Sequence, residues 1–476
     1  MRREIFEQVL GFDLCWEPAY YEDCDLSLKI ELLGLKTYYC PDSKVIHREN
    51  GTSSDSSLGL KLNNIVEINK TKFLNRWRTY LSSNRTEKTS LLSLTNRAGK
   101  LTKNSPLKTK TSKVVCLYTP YNLIPGGGER YLLSIAETFL KNNEVYLITP
   151  EKFSHLRLLT LGRDLNLNLD NLLLCPLYEL NKIPHIDLFI AMGNEITPPI
   201  QTFGRRNIFI CQFPFPISPS ELALRWSWLQ NYERLVVYSM FARHFVCHYI
   251  NELQLPQRPV DIVHPPVELT ELDSDCVVIS PKENIILNVG RFFTGAHCKR
   301  QDILIETFRS ILKNSNVTAE LHLVGSLHPE PEHRDYFLRL QELARGLPVF
   351  FHLNASPEFL KSIYDRASIY WHATGIDINP STDPEKCEHF GIAPVEAMSA
   401  GCIPIVVNKG GLPEIVAHDR SGFCFETEQQ LQEITTRILT EKNMPWVMSM
   451  REAAVKQSYQ YSKAAFSQRW EEFLKD

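Results

Sequence analysis

The stretch EHFGIAPVEAMSAGCIPIVVNKGGLPE, residues Glu388 to Glu414, is the part of this sequence that identifies its fold class. It contains a glycine turn at Gly391, a helix of small residues predicted over Ala393–Ala400, and the apolar strand Ile403–Val407, before a second turn at Gly410-Gly411. A helix followed by a short, continuously apolar strand is typical of a parallel sheet that is buried on both faces. The stretch therefore predicts an α/β architecture.

Two carboxylates in this stretch, Glu388 and Glu396, are eight positions apart and flank the first turn. A glycine turn that feeds a helix N-terminus offers unpaired backbone N–H groups and a partial positive charge, which suit a phosphate. Ionised carboxylates only accept hydrogen bonds, so they suit sugar hydroxyls. A lone pair of glutamates at this spacing is more often two solvated charges, but the flanking turns, helix and strand favour a site for a nucleotide sugar.

The whole stretch resembles the donor-binding signature of family 4 glycosyltransferases, which are retaining enzymes of the GT-B fold. The resemblance extends upstream to NVGRFFTGAHCKRQDILIETF, Asn288–Phe308, which is similar to the strand, loop and helix that hold the donor diphosphate in that family. It implies that Arg291 and Lys299 stabilise the leaving diphosphate, that Glu388 holds donor-sugar hydroxyls, and that these three are catalytic. Glu396 is expected to hold the ribose. The other expected donor-binding residues of this lobe are Gly391, Ile392, Gly410 and Gly411.

The chemistry of the two cations fits that role. Arginine offers a planar fork of donors and lysine a mobile point charge, and each charge-assisted hydrogen bond is worth about 1.5–3 kcal/mol. A single basic residue is more often a solvated surface cation. Arg291, however, directly follows an apolar strand that ends in Gly290, which is where ligand sites of α/β proteins lie.

Two series of apolar runs predict two doubly wound, Rossmann-like lobes with a cleft between them, over residues 113–272 (the acceptor lobe) and 273–476 (the donor lobe). By resemblance, the amphipathic segment Tyr461–Leu474 is expected to be a helix that crosses back to the first lobe. The first series reads VVCLYT, VYLITP, LLLCPL, DLFIAM, NIFICQF and LVVYSM, and the second IILNVG, ELHLVG, VFFHLN, SIYWHA and CIPIVV.

The first lobe opens with a glycine loop, which by itself is as consistent with a plain turn as with a ligand site. The family resemblance implies that Gly127 and Gly128 border the cleft near the donor phosphates. The loop matches neither GxGxxG nor a P-loop, which argues against a dehydrogenase or an ATPase. Many family members carry a histidine where this chain has Gln212, which can hydrogen-bond but cannot carry a proton. The retaining mechanism that the resemblance implies needs no protein base, because the leaving phosphate accepts the proton. His264 and His372 are interpreted as structural histidines at strand ends.

Residues 1–80 resemble the C-terminal part of a family 2 glycosyltransferase of the GT-A class, with Glu22-Asp23 matching its base and His47 a histidine near its metal. The nucleotide-binding half and the Asp-x-Asp metal motif do not precede it. The segment is therefore predicted to be an inactive, incomplete α/β remnant. Residues 81–112 are predicted to form a basic, flexible linker. An alternative role for this segment is peripheral attachment to an anionic membrane surface.

Composition restricts the remaining possibilities. A hydrophobic content of 43% and a net charge of −3 describe an ordinary globular chain with no general affinity for nucleic acid. No apolar run approaches the roughly 20 residues of a membrane span, and no signal peptide is recognisable. The 12 cysteines include no CxxC pair, which favours reduced thiols in the cytoplasm and makes a zinc site unlikely.

These observations and the family resemblance together predict a cytoplasmic retaining glycosyltransferase, with peripheral attachment at the inner face of the membrane as an alternative. It is expected to move a hexose-type sugar from a nucleoside-diphosphate sugar to a glycan or lipid-linked acceptor, in cell-surface polysaccharide synthesis, without a metal or other cofactor. A nucleotide-sugar epimerase or a phosphorylase of the same fold is an alternative. A non-catalytic scaffold subunit of a glycan-assembly complex is another, since Gln212 and the incomplete N-terminal segment favour it.

Overall fold

The computed structural model describes residues 3–9, 11–12, 16, 21–35, 69–74, 76–77, 112–121, 123, 126–151, 153–269, 279–327 and 330–475. These residues fall into two compact units, one drawn from residues 1–112 and 152–170 and the other from residues 113–151 and 171–476. Within the described ranges, no helix has both the length and the apolar character needed to cross a membrane.

The first unit is helical where it is described. Its helices are Arg3–Gln8, Glu22–Leu32 and His155–Asp164, and residues 69–74 are also helical. Its buried polar centre is the Asp25 carboxylate, which accepts hydrogen bonds from Trp77 Nε1 at 2.9 Å and Arg76 at 3.1 Å and lies 2.8 Å from Lys29 Nζ. The predicted GT-A remnant stays a prediction, because more than half of residues 1–80 lie outside the described residues.

The second unit contains two parallel sheets, as the two series of apolar runs predicted. The first sheet has seven strands in the order β3-β2-β1-β4-β5-β6-β7, and the second has six in the order β10-β9-β8-β11-β12-β13. The first sheet consists of β1 Val114–Tyr118, β2 Glu144–Thr149, β3 Leu173–Pro176, β4 Leu188–Glu195, β5 Arg206–Phe215, β6 Arg234–Val237 and β7 Val260–Ile262. The second consists of β8 Glu283–Val289, β9 Glu320–Gly325, β10 Val349–Leu353, β11 Ala367–His372, β12 Ile403–Val407 and β13 Phe423–Phe425.

Both sheets have the doubly wound strand order, in which the direction of winding reverses between the first and fourth strands. That reversal lies between β1 and β4 in the first sheet and between β8 and β11 in the second, and both pairs are parallel. Ligands of such folds bind beyond the carboxyl ends of the strands at this switch point. The predicted fold class of two Rossmann-like lobes is therefore confirmed.

Helices connect most of these strands. The α-helices of the second unit are Gly127–Leu140, Pro219–Arg225, Met240–Glu252, Gln301–Asn314, Pro331–Leu343, Pro357–Arg366, Ile392–Ser399, Leu412–Ile415, Glu428–Thr440, Pro445–Ser458 and Lys463–Lys475. Short 3₁₀ helices occupy Leu177–Lys182, Leu229–Asn231, Pro384–Lys386 and Tyr459–Tyr461.

The eleven apolar runs all form strands, and the structure differs from the predicted strands in two respects. The run predicted over Leu235–Met240 ends as a strand at Val237, because the Ser239 hydroxyl accepts a hydrogen bond from Ala242 N and caps the next helix. Strands β7 and β13 were not predicted, since each is only three residues long and has no extended apolar run.

The C-terminal helix crosses back to the first lobe, as the resemblance predicted. Its Phe466 and Trp470 rings meet the Tyr131 ring edge-on, with centroids 5.1 and 6.2 Å apart. The Phe473 carbonyl accepts a hydrogen bond of 2.7 Å from Arg206 at the start of β5, and Lys463 Nζ lies 3.4 Å from a Glu137 carboxylate oxygen. Burial of these apolar side chains thus fixes the C-terminal helix to the first lobe.

Trp470 provides a test of this crossover, because its side chain is fully buried. We expect Trp470→Ala to lower the free energy of unfolding by about 3–5 kcal/mol, the usual cost of removing a buried aromatic ring. The matched control is Trp226→Ala, at a tryptophan that is 42% exposed, which should cost less than about 1 kcal/mol. Urea denaturation of the two variants measures the difference, and equal losses would contradict the crossover packing.

Candidate functional site

The predicted Lys299 and Glu388 meet at the switch point of the second sheet. Lys299 Nζ lies 2.5 Å from Glu388 Oε2. His372, the last residue of β11, places its Nε2 atom 3.0 Å from the same carboxylate oxygen. Lys299 lies in the loop after β8 and Glu388 in the loop after β11, so the parallel pairing of these strands explains why the residues meet. His372 was interpreted as a satisfied structural histidine, and the group that satisfies it is the Glu388 carboxylate.

The charges of these three residues are strongly coupled. Burial alone would raise the pKa of Glu388, but the positive charge of Lys299 and the hydrogen bond from His372 hold it well below its usual range. Burial lowers the pKa of His372, and the hydrogen bond to Glu388 only partly opposes that effect. The site therefore holds an ionised carboxylate and a neutral imidazole that donates to it.

Glycines at the strand ends make room for the Lys299 side chain. A Cβ atom on Gly290 would lie 2.6 Å from Lys299 Cγ, so the stem of the lysine lies directly across this glycine. A Cβ atom on Gly325 would lie 2.0 Å from the Gly290 carbonyl oxygen. Neither position has space for a side chain, and the lysine therefore depends on both for its path toward Glu388.

The predicted donor-pocket glycines Gly410 and Gly411 support the backbone that carries Glu388. A Cβ atom on Gly410, whose φ is +68°, would lie 2.2 Å from the Glu388 carbonyl oxygen, and one on Gly411 would lie 2.4 Å from that of His389. The Gly411 amide also donates to the Glu388 carbonyl at 2.8 Å. The Gly-Gly pair thus allows the two loops to lie in direct backbone contact and fixes the position of the Glu388 backbone.

Two helix N-termini converge beside this cluster. The helix Ile392–Ser399 follows Gly391, whose φ is +107°, and the helix Gly127–Leu140 follows Gly126; neither has a side-chain cap. A Cβ atom on Gly127 would lie 3.5 Å from Ile392 Cδ1, so the two helices begin next to each other. Two sets of N-terminal amides at one place form a site suited to an anion such as a diphosphate.

Arg291 and Gln212 border the same region. The Arg291 side chain is exposed, and its guanidinium carbon lies 5.4 Å from the centroid of the Phe293 ring. Burial raises the pKa of Glu129, and the Arg291 charge partly offsets this, which indicates that the arginine faces the glycine-loop helix. A Cβ atom on Gly128 would lie 2.8 Å from Gln212 Nε2, so the glycine allows the loop to lie against this amide.

Glu396 contacts different partners from Glu388. Its Oε2 atom accepts a hydrogen bond from the Tyr364 hydroxyl at 3.0 Å. Burial raises the pKa of Glu396, although the nearby Arg130 charge and the Tyr364 hydrogen bond oppose the shift. The sequence spacing therefore placed the two carboxylates on separate parts of the site, with only Glu388 in the charged cluster.

Two histidines of the site were missed by the sequence reasoning. The His389 ring stacks on Phe213 of the first lobe with centroids 3.7 Å apart and an interplanar angle of 6°. His297, at a φ of +65°, meets His389 edge-on at 4.5 Å. The aromatic Phe213-Pro214 pair beside Gln212 was the available signal. His264, by contrast, bonds the Tyr238 carbonyl at 2.8 Å and is structural, as interpreted.

Of the residues predicted for the N-terminal remnant, the structure describes Glu22 and Asp23. Glu22 and Asp23 lie in the first turn of the helix Glu22–Leu32, and Asp23 is exposed. His47 lies outside the described residues, as do residues 81–111 of the predicted linker. Among the described residues, no group of three or more His, Cys, Asp or Glu side chains is arranged to hold a metal ion.

The second lobe is similar to known glycosyl transferases. Residues 271–460 match the model of the family described as glycosyl transferases group 1. The GDP-Man:Man(3)GlcNAc(2)-PP-Dol alpha-1,2-mannosyltransferase of Neurospora crassa is 31% identical over 233 residues, which is 45% of this chain and 38% of that protein. The alpha-1,3/1,6-mannosyltransferase ALG2 of Mus musculus is 25% identical over 252 residues, 47% of this chain and 57% of that protein. The chain thus spans less than two thirds of these relatives.

Solved structures show the same fold over the two lobes. A glycosyltransferase from Rickettsia africae ESF-5 is similar with a TM-score of 0.57 at 16% identity, over 77% of this chain and 99% of that one. Anabaena Alr3699/HepE, solved in complex with UDP and glucose, has a TM-score of 0.55 at 15% identity, over 76% of this chain and 99% of that one. At these identities the likeness shows the GT-B fold alone.

The role of Gly410 can be separated from the strain of its left-handed conformation. Gly346 has a φ of +76° and no atom within 4 Å of an added Cβ, so Gly346→Ala should cost only the left-handed strain, about 1–2 kcal/mol. Gly410→Ala should cost a further 1–3 kcal/mol or so, because its Cβ meets the Glu388 carbonyl. Chemical denaturation of both variants measures the difference, and equal losses would argue against support of Glu388 by this glycine.

The buried His389 predicts a pH dependence of stability. Burial holds the pKa of His389 well below the ordinary 6.5, with the His297 and Lys299 charges adding to the shift and Glu388 opposing it. As the pH falls below 6.5, the histidine of the unfolded chain binds a proton before that of the folded chain does. The stability that neutral His389 contributes is therefore fully present above the unfolded pKa and is lost as the pH falls.

His389→Phe keeps an aromatic ring against Phe213 and removes this titration. We expect the free energy of unfolding of the wild type to fall more steeply between pH 7 and pH 5 than that of the variant, by up to about 1.4 kcal/mol per pH unit. Urea denaturation at several pH values measures both slopes. Parallel slopes would show that His389 titrates normally in the folded protein.

Proposed function

We propose that this chain transfers a hexose-type sugar from a nucleoside-diphosphate sugar to a hydroxyl of a glycan or lipid-linked acceptor, since residues 271–460 match the model of the group 1 glycosyl transferases. The observation that carries the proposal is the cluster of Lys299, Glu388 and His372 at the switch point of the second sheet, beside two uncapped helix N-termini. The positive groups would bind the anionic half of such a ligand, and the carboxylate would bind its hydroxyl-bearing half.

The positive groups would stabilise the leaving nucleoside diphosphate. Charge develops on the β-phosphate as the glycosidic bond breaks, and preorganised donors are most effective where charge appears. Lys299 is already held at the site by Glu388, while the exposed Arg291 and the helix N-termini near Gly127 and Ile392 supply further donors. This arrangement supports the proposal that no metal ion or other cofactor is needed.

The carboxylates would orient the sugar and the nucleoside. Ionised Glu388 accepts hydrogen bonds and so fits donor-sugar hydroxyls, with Lys299 free to move toward the phosphate as the donor enters. Glu396, bonded to Tyr364 in a separate part of the site, fits the ribose. We propose a retaining reaction in which the departing phosphate accepts the proton of the acceptor hydroxyl on the same face of the sugar. Gln212 then needs only to hydrogen-bond.

The relatives suggest which donors to test first. The Neurospora protein is named for GDP-Man and for an acceptor linked to PP-Dol, and the Anabaena structure contains UDP and glucose. We therefore propose a lipid-linked or surface glycan as acceptor, with GDP and UDP as the leading nucleotides. A cytoplasmic location with peripheral contact through the basic linker is part of the proposal, as is an inactive family 2 remnant at residues 1–80.

Calorimetric titration of the full chain with UDP, GDP, dTDP and ADP tests the proposal. We expect micromolar binding of one nucleotide, weakened about 10- to 100-fold by Lys299→Ala or Arg291→Ala, since each charge-assisted contact is worth about 1.5–3 kcal/mol. Arg345→Ala is the matched control, because Arg345 is an exposed arginine paired only with the neighbouring Glu342 among the ion pairs of the described residues.

The possible results separate the alternatives. A folded protein that binds none of the four nucleotides would overturn the transferase proposal and leave the scaffold subunit. Binding that both cation variants retain would place the nucleotide elsewhere. Turnover of the nucleotide sugar without any acceptor glycan would indicate an epimerase, and turnover that requires inorganic phosphate would indicate a phosphorylase.

A further inference from the structure

The helix Met240–Glu252 of the first lobe is capped by a carboxylate of the second lobe. Its first two amides, Met240 N and Phe241 N, donate to the two carboxylate oxygens of Glu414 at 2.7 and 2.6 Å. The N-terminal amides of a helix have no partner within the helix, and a carboxylate there is favoured by both hydrogen bonding and the helix dipole. The contact is therefore specific in geometry and in charge.

Ser239 joins the same helix start to the Glu388 loop. Its hydroxyl accepts a hydrogen bond from Ala242 N at 3.1 Å and donates one to the His389 carbonyl at 2.6 Å. Ser239 is fully buried. Together, Ser239 and Glu414 occupy the first three amides of the helix, and the two amides bound by Glu414 have this partner only while the two lobes are in contact.

The His389 side chain is held by the first lobe as well. Its ring stacks on Phe213 at 3.7 Å and lies 6.3 Å from Phe241, which is the second residue of the capped helix. Its main chain and its ring are thus both fixed by residues of the first lobe, and His389 directly follows Glu388 in sequence.

The turn that precedes the short helix Leu412–Ile415, which carries Glu414, also touches the backbone of Glu388. Gly411 N donates to the Glu388 carbonyl at 2.8 Å, and Glu414 N donates to the Gly411 carbonyl at 3.2 Å. One short segment therefore connects the cap of the first-lobe helix to the residue that meets Lys299. These contacts join Ser239, Phe213 and the helix start in the first lobe to His389 and Glu414 in the second. We call this set of contacts the seam.

We infer that the seam couples docking of the lobes to the placement of the Glu388 carboxylate, which makes Ser239 and Glu414 positioning residues for sugar transfer. Lys299, Arg291 and the helix start at Ile392 all belong to the second lobe, so the donor nucleotide would bind there whether or not the seam is closed. Glu388 would take its place opposite Lys299 and His372 only when the first lobe holds His389. The kinetic part of this inference rests on the proposed function, whereas the structural part does not.

Hydrogen exchange on the full chain tests the structural part without any substrate. In Glu414→Gln and in Ser239→Ala, we expect exchange to become at least tenfold faster both at residues 240–242 and at residues 388–391, while strands β8 and β9 keep their protection. Glu452→Gln, an exposed glutamate on the helix Pro445–Ser458, is the matched control and should change neither segment. Faster exchange at residues 240–242 alone would overturn the inference, since the seam would then only cap a helix.

Steady-state kinetics tests the positioning role. For both variants we expect kcat to fall about 10- to 100-fold, with nucleotide affinity and donor KM changed less than threefold. A general loss of structure would instead weaken nucleotide binding together with kcat, and that result would overturn the inference, as would an unchanged kcat. If the wild type neither binds nor turns over a nucleotide sugar, the proposed function fails and hydrogen exchange still decides whether the seam fixes the Glu388 loop.

Discussion

The Glu388 carboxylate is the group on which the second lobe's candidate site depends. A carboxylate removed from water is strongly unfavourable unless positive charge and hydrogen-bond donors surround it. Lys299 and His372 provide both, and the parallel pairing of β8 with β11 brings their loops to one edge. The lysine can reach the carboxylate only because its stem crosses a glycine, Gly290. Compensation of this one buried charge thus depends on a strand pairing, a loop and a glycine together.

The same loop connects the two lobes. His389 follows Glu388 directly and is held by Ser239 and Phe213 of the first lobe, while Glu414 caps a first-lobe helix. The C-terminal helix crosses back and buries Trp470 against the first lobe, so the lobes are joined at two separate places. A site built across such a junction can bind a nucleotide with one lobe and depend on the other for its final geometry.

Much of this architecture could be predicted from the sequence. Parallel strands that are buried on both faces read as continuous apolar runs, so all eleven runs were recognisable. The signature with two glycine turns located Glu388, and the family resemblance of the upstream stretch Asn288–Phe308 located Lys299. Strand ends were less certain, because a single capping side chain such as Ser239 converts the end of a run into a helix start. The strands β7 and β13 are too short to produce a pattern.

The sequence by itself determined the class of fold, the order of its elements and the residue types of the candidate site, because local periodicity and turn chemistry act over a few neighbouring residues. Only the tertiary structure decided which of those residues meet. His372, interpreted as a structural histidine, bonds to Glu388 in the charged cluster, and Glu396, expected to hold a different part of the donor from Glu388, lies apart from it beside Tyr364. Contacts across strand neighbours and between lobes depend on sheet order and on lobe packing, and distance along the chain does not encode either.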